Sequence, residues 1–255
     1  MRTTEVRRRA GRGFDHTYLL DVIQKEPDQF VGVAVVDEKP ADLGGHLEAL
    51  RSRGIVGVRL VTLGLDADSW VDSQGAKNVF QAAANQNITA CFLCDPGELS
   101  AIDRVCGRYP ELTVVIDHLA RIGSDGDLND VHISQLSNLS QHKNVYVKVS
   151  AFYALGRKQP PYLNLLPMVR RWRDAFGAER VMWASDCPFQ VDPVHTYRDS
   201  IELITERAYF LSEQEKLQLL QGTAEKVFLM VPSETDPRSP KVCSDASRVV
   251  GPPST

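Results

Sequence analysis

A layered α/β fold built on a parallel sheet is what this 255-residue sequence predicts. Three observations carry the prediction. Short apolar runs recur along the chain, separated by stretches of helical character. Most of those runs are continuous in Val, Ile, Leu and aromatic residues, the pattern of strands covered on both faces. The length also suits one β/α barrel, which typically takes about 250 residues. Strand, helix, strand with short links implies right-handed crossovers. The competing architecture, an open doubly wound sheet that binds a nucleotide, usually carries a glycine-rich phosphate loop after its first strand. None follows Val36.

The elements follow in order. The first apolar run is Gln29 to Val36, and a helix over Asp42 to Arg53 comes next, opened by a capping Asp and closed before Gly54. A second run, Val56 to Leu63, precedes a helical stretch from Ser69 to Gln86. A third, Ile88 to Cys94, precedes Glu98 to Tyr109, and a fourth, Leu112 to Leu119, precedes Asn129 to His142. The fifth run is Val145 to Phe152, followed by Tyr162 to Phe176. After the sixth, Arg180 to Asp186, two helices are expected, Val194 to Tyr209 and Ser212 to Phe228. Residues 1–14 read as a basic disordered terminus, 15–230 as the folded domain, and 231–255, rich in Ser, Pro and Asp, as a disordered tail.

Composition excludes several classes. With 43% hydrophobic and 24% charged residues the chain reads as an ordinary globular protein. The formal net charge of −4 offers no basic excess to hold nucleic acid, and Arg7, Arg8 and Arg9 form the only dense basic run. No stretch approaches the roughly 18 apolar residues of a membrane span. The terminal arginines have no apolar core behind them, so no secretory signal is read. Five scattered cysteines do not form a disulfide framework. A reducing, cytoplasmic setting is the expectation.

In parallel α/β folds the chemistry gathers at the carboxyl ends of strands. Those ends hold Asp37, Arg59, Asp117 with His118, Lys148 and Ser150 with Tyr153 just beyond, and Ser185 with Asp186. Charges on apolar strands are costly to bury unless paired or used. Asp186, leaving a strand just before Pro188, suits a carboxylate that binds metal or takes a proton from water. A helix-capping Asp is the equal alternative. His118 could ligate a metal or polarise a carbonyl, and a buried, backbone-bonded histidine is the competing reading. Arg59 and Lys148 could pair with strand-end carboxylates or hold an acidic substrate. His46, His132, His142 and His195 read as surface helix positions, and His16 as a loop residue. Cys91 and Cys94 fall in one strand with side chains on opposite faces, which argues against a shared metal. Cys187 has no histidine in a recognisable pairing.

Read together, these segments resemble the amidohydrolase-related family of barrel hydrolases, in particular its lactonase-like branch. The matching pieces are Tyr18-Leu19-Leu20 leading into Pro27-Asp28-Gln29-Phe30-Val31-Gly32-Val33-Ala34, then Gly57-Val58-Arg59-Leu60 and Val115-Ile116-Asp117-His118-Leu119. Val145-Tyr146-Val147-Lys148-Val149-Ser150, Arg180-Val181-Met182-Trp183-Ala184-Ser185-Asp186-Cys187-Pro188 and Gly222-Thr223-Ala224-Glu225-Lys226-Val227-Phe228 follow in family order. The resemblance implies a TIM (β/α)8 barrel that hydrolyses a lactone or a related carbonyl substrate. On that analogy Asp186 activates water, and His118 binds metal or polarises the carbonyl. Arg59, Lys148 and Tyr153 contact the substrate, and His118 with Asp186 are the metal ligands where zinc or manganese is used. Some lactonases of the family need no metal, so the cofactor is left open, as is a homo-oligomer. The expected partner is a small molecule.

The family's first strand ends in H-x-H and a second strand follows; neither motif nor strand is found here, and only about fourteen residues precede Asp15. The expectation is therefore a barrel lacking its first two strands, with two exposed edges. A catalytically impaired barrel fragment that acts as a binding or regulatory partner, and a decarboxylase-type relative, are the alternatives to a lactone hydrolase.

Overall fold

A computed structural model describes residues 14–229 except Ala41 and Leu65. The basic run Arg7 to Arg9 and the tail 231–255 lie outside the described residues. All six apolar runs form strands: β1 Gly32–Ala34, β2 Ile55–Val61, β3 Thr89–Leu93, β4 Val114–Ile116, β5 Val145–Val149 and β6 Val181–Trp183. They make one sheet in chain order, every neighbouring pair is parallel, and β1 and β6 are its edges.

The connecting helices are α1 Thr17–Lys25, α2 Leu43–Arg51, α3 Ala67–Val71, α4 Gln74–Asn85, α5 Leu99–Arg108, α6 Asp130–Asn138, α7 Leu166–Phe176, α8 Tyr197–Thr205, α9 Glu213–Leu217 and α10 Thr223–Phe228. Caps set most of their starts. The Asp42 carboxylate accepts from the Gly45 amide to open α2, and Gly54, at φ +89°, turns the chain into β2. The expected helix from Ser69 to Gln86 is two helices, because Asp66 caps α3 and the Ser73 hydroxyl accepts from the Ala76 amide to start α4 afresh. The helix expected from Val194 begins at Tyr197, where the Thr196 hydroxyl accepts from the Asp199 amide. The last expected helix opens with the reciprocal Ser212–Glu215 capping box and passes through a π turn, Gln218–Gly222, between α9 and α10.

Alternation along each strand sorts the side chains onto two faces. Val58, Leu60, Ala90, Phe92, Val114, Ile116, Val147 and Val149 face the helices and share a core with Leu47, Phe80, Ile102, Leu136 and Trp172. The other face carries Val33, Cys91, Val115, Tyr146 and Met182, and Val227 and Phe228 of α10 pack onto it. Cys91 and Cys94 fall in these two different clusters, on opposite faces as their spacing implies. Both faces are therefore buried, which is why the strands read as unbroken apolar runs. Full burial of one such side chain is worth about 1.5–3 kcal/mol.

Trp172, with no exposed surface, anchors α7 in the helix-facing core. Trp172→Ala is expected to cost about 3–5 kcal/mol. Urea unfolding followed by circular dichroism should show a lower midpoint with an unchanged slope.

Candidate active site

The face packed by α10 also carries the charged residues. Asp117 lies two positions beyond Val115, and Lys148 two beyond Tyr146, so both continue that face toward the carboxyl ends of their strands. Lys148 Nζ sits 2.6 Å from Asp117 Oδ1, and the Arg59 guanidinium 2.9 Å from Asp117 Oδ2. Asp117 is fully buried and the two cations nearly so. Burial pushes the Asp117 carboxyl up, but Arg59 and then Lys148 outweigh it and hold the group well below the usual carboxylate range. Three strands, β2, β4 and β5, are tied to one carboxylate.

One residue further on, His118 turns to the next layer. Its Nδ1 lies 2.8 Å from the Ser150 hydroxyl, and its Nε2 lies 3.7 Å from Asp186 Oδ1. The Tyr153 hydroxyl donates to the other Asp186 oxygen at 3.0 Å. His118 and Asp186 side chains are about 5% and 4% exposed, so their charges are weakly screened. When the Ser150 hydroxyl donates to Nδ1, the proton of a neutral imidazole sits on Nε2, on the Asp186 side. A gap of 3.7 Å is too long for a direct hydrogen bond, yet an oxygen atom placed beside it can reach both groups.

Backbone geometry marks the same place. His118, Leu119, Ala120 and Arg121 are four consecutive residues in the left-handed region, with φ between 50° and 58°. Ala151 beyond β5 and Asp186 beyond β6 share that conformation, at φ 58° and 52°. Left-handed backbone costs an L-residue about 1–2 kcal/mol, and such strain persists where the surroundings over-determine it. Here Leu119 and Ala120 are fully buried, and Arg121 pairs at 2.9 Å with Asp95 beyond β3. The turns beyond β4 and β5 are also pinned together, since the Gly156 amide donates to the Gly123 carbonyl at 2.8 Å. A Cβ on Gly123 would stand 2.9 Å from that amide nitrogen.

The structure thus brings His118, Asp186 and Tyr153 into one cluster and places Arg59 and Lys148 on Asp117 beside it. Ser150, read only as a strand-end residue, is the partner that orients His118. His195 departs from its reading as a surface helix residue. It precedes α8, is half-buried, and its Nδ1 lies 2.8 Å from the Tyr162 hydroxyl. His142 lies beyond α6 and pairs with Asp103 of α5 at 2.7 Å, and His16 bonds the Val35 carbonyl at 2.8 Å. Asp37 belongs elsewhere, in a surface cleft of about 560 Å³ with Phe14, Glu38 and Gln74, which shares no lining residue with the His118–Asp186 cluster.

His118 and Asp186 offer an imidazole and a carboxylate, donors that suit zinc or manganese. Among the described residues no group of three His, Cys, Asp or Glu side chains assembles to hold an ion. Catalytic zinc usually takes three protein ligands, so this donor set falls short of that site.

The amidohydrolase family model (Amidohydro_2) matches residues 1–229. An L-fucono-1,5-lactonase from Burkholderia ambifaria is 31% identical over 175 residues, covering 68% of this chain and 60% of the lactonase. The chain therefore spans less than two thirds of that relative. A 4-sulfomuconolactone hydrolase from Hydrogenophaga intermedia is 22% identical over 85% of this chain and 71% of its own length. Among solved structures, an amidohydrolase from Burkholderia multivorans with bound zinc superposes with a TM-score of 0.74 at 20% identity, over 83% of this chain and 78% of that one.

The Asp117 cluster makes a stability prediction. Asp117→Asn leaves two cations without their carboxylate and is expected to cost about 3–5 kcal/mol at neutral pH. Because the folded carboxyl titrates below the unfolded one, its stabilisation is complete above about pH 5. Below about pH 3.9 the unfolded chain takes up the proton first, and the stabilisation falls as pH drops toward the folded value. Urea midpoints of both proteins should therefore differ constantly from pH 8 to 5 and converge below pH 4.

Proposed function

This chain belongs to the amidohydrolase family, and on that premise we propose that it hydrolyses a lactone bearing an acid group, with Asp186 as the base. One observation carries the proposal: His118 Nε2 and Asp186 Oδ1 face each other across 3.7 Å at the carboxyl ends of β4 and β6. The kinship with two lactone hydrolases supports it.

In this reading the Asp186 carboxylate takes a proton from water as the water oxygen bonds to the lactone carbonyl carbon. His118 donates from Nε2 to the carbonyl oxygen, where negative charge develops, while Ser150 keeps Nδ1 the acceptor. The ring C–O bond then breaks, and the departing ring oxygen receives the proton that Asp186 took. The product is the open hydroxy acid, and the carboxylate is restored. Tyr153 orients Asp186 by donating to its second oxygen and lines the substrate side of the cluster. Arg59 and Lys148 supply positive potential that favours an acidic substrate, with Asp117 fixing their positions. Among the described residues the His118–Asp186 pair falls short of a catalytic zinc site, and the chain's own residues carry each step.

The substrate is a small molecule and the setting cytoplasmic. The described cysteines Cys91, Cys94, Cys106 and Cys187 are unbridged. Among the described residues no helix is long and apolar enough to cross a membrane.

Hydrolysis of 4-sulfomuconolactone and L-fucono-1,5-lactone, followed by alkali uptake at constant pH, tests the proposal. Asp186→Asn should lower kcat by about 100-fold or more with little change in KM, the signature of a group used in the transition state. Ser150→Ala should lower kcat by about tenfold, the worth of one oriented hydrogen bond. Turnover in the unaltered protein that survives Asp186→Asn would contradict the assignment of the base. A protein that turns over neither lactone would favour a binding role.

A further inference from the structure

The loop between Asp186 and His195 leaves the site and comes back to it. It departs at Asp186, which holds the Tyr153 hydroxyl, and it returns His195 to the Tyr153 ring, with centroids 6.2 Å apart. Two devices fix the path. Gln190, fully buried, donates its backbone amide to the Asp186 carbonyl at 3.1 Å. The Asp192 carboxylate accepts from the backbone amides of Val194 and His195 at 2.7 and 2.8 Å, and the Asp192 amide donates to the His195 carbonyl at 3.0 Å.

The side-chain bonds then decide which nitrogen of His195 carries the proton. Gln190 Nε2 lies 3.3 Å from the Thr196 carbonyl, which can only accept, so this end of the amide is the donor. The same Nε2 lies 2.9 Å from the Tyr162 hydroxyl and donates to it. The phenol's own hydrogen is left for His195 Nδ1, at 2.8 Å. Tyr162 is 1% exposed, and burial pushes its hydroxyl up, so it keeps that hydrogen at neutral pH. The rings of Tyr162 and His195 also stack, 6.0 Å apart and 18° from parallel. His195 Nδ1 is thereby an acceptor, and the proton of the neutral ring sits on Nε2, the edge away from Tyr162. A surface histidine needs none of these supports.

We propose that His195 is a substrate-contacting residue whose Nε2–H donates a hydrogen bond to an acid oxygen of the lactone, away from the reacting carbonyl. The inference rests on the hydrolase reading and adds to it a determinant of specificity. The residue transfers no proton, because a neutral imidazole that gave up its Nε2 hydrogen would become an anion. Its contribution is made equally to the bound substrate and to the transition state, and so appears in KM.

Steady-state hydrolysis of 4-sulfomuconolactone separates the outcomes. His195→Phe should raise KM about tenfold or more while kcat stays within about threefold. His195→Gln, whose amide N–H reaches a similar position, should restore most of the affinity. Tyr162→Phe should give an intermediate KM, and nitrogen-15 NMR should show its His195 as a mixture of tautomers where the unaltered protein has only Nε2–H. An unchanged KM in His195→Phe, in a protein that turns the lactone over, would overturn the inference, whereas no turnover in the unaltered protein is a failure of the hydrolase reading. If His195→Phe does not fold, the Nε2 resonance of His195 in Asp186→Asn protein saturated with the lactone decides. A shift supports the contact, and an unmoved resonance overturns it.

Discussion

One buried carboxylate organises the carboxyl end of this sheet. Asp117 receives Arg59 from β2 and Lys148 from β5, and its own strand lies between those two in the sheet. A lone ionised carboxyl in such a place would be too costly to keep, and two lone cations would be no better. Together they hold each other, and the arrangement fixes the height at which β4 ends. The residue after Asp117 is His118, so the placement of the imidazole follows from the placement of the ion cluster. A buried ion cluster adds little net stability over a well-packed apolar equivalent, so the role of this one is positional.

Strain is concentrated on the layer above. Four left-handed residues in succession beyond β4, with single ones beyond β5 and β6, turn the chain sharply at the three places where His118, Ser150 and Asp186 stand. None of the left-handed residues there is glycine, so the surroundings must hold them. Burial of Leu119 and Ala120, the Arg121–Asp95 pair and the Gly123–Gly156 bond are what the structure provides. Rigid turns of this kind suit a site whose base and hydrogen-bond donor must stand a fixed distance apart before substrate arrives.

Much of this was legible in the residue order. The six strands stood out because burial on both faces removes the polar alternation that otherwise blurs short strands, as in Val145-Tyr146-Val147-Lys148-Val149. The salt-bridged pairing of Arg59 and Lys148 with a strand-end carboxylate was one of two readings open for them. The expected strands ran too long at their carboxyl ends: β4 stops at Ile116, two residues before the left-handed run that begins at His118, and β6 at Trp183, three before the left-handed Asp186. No local propensity announces that turn in His118-Leu119-Ala120, since its support comes from distant packing. His195 was hidden for the same reason. Its partner Tyr162, held in turn by Gln190, meets it only in the fold, although the Asp192-Pro193 turn just before it is a signal that the chain is fixed there.

In the proposed reaction His118 and Asp186 act on the same lactone carbonyl in one step. A double-mutant cycle of lactone hydrolysis with His118→Asn, Asp186→Asn and the combined variant tests this most directly. If the two groups work as a unit, the combined variant should be no slower, within a few fold, than the slower single variant. Losses in kcat/KM that multiply would show two independent contributions and contradict the claim.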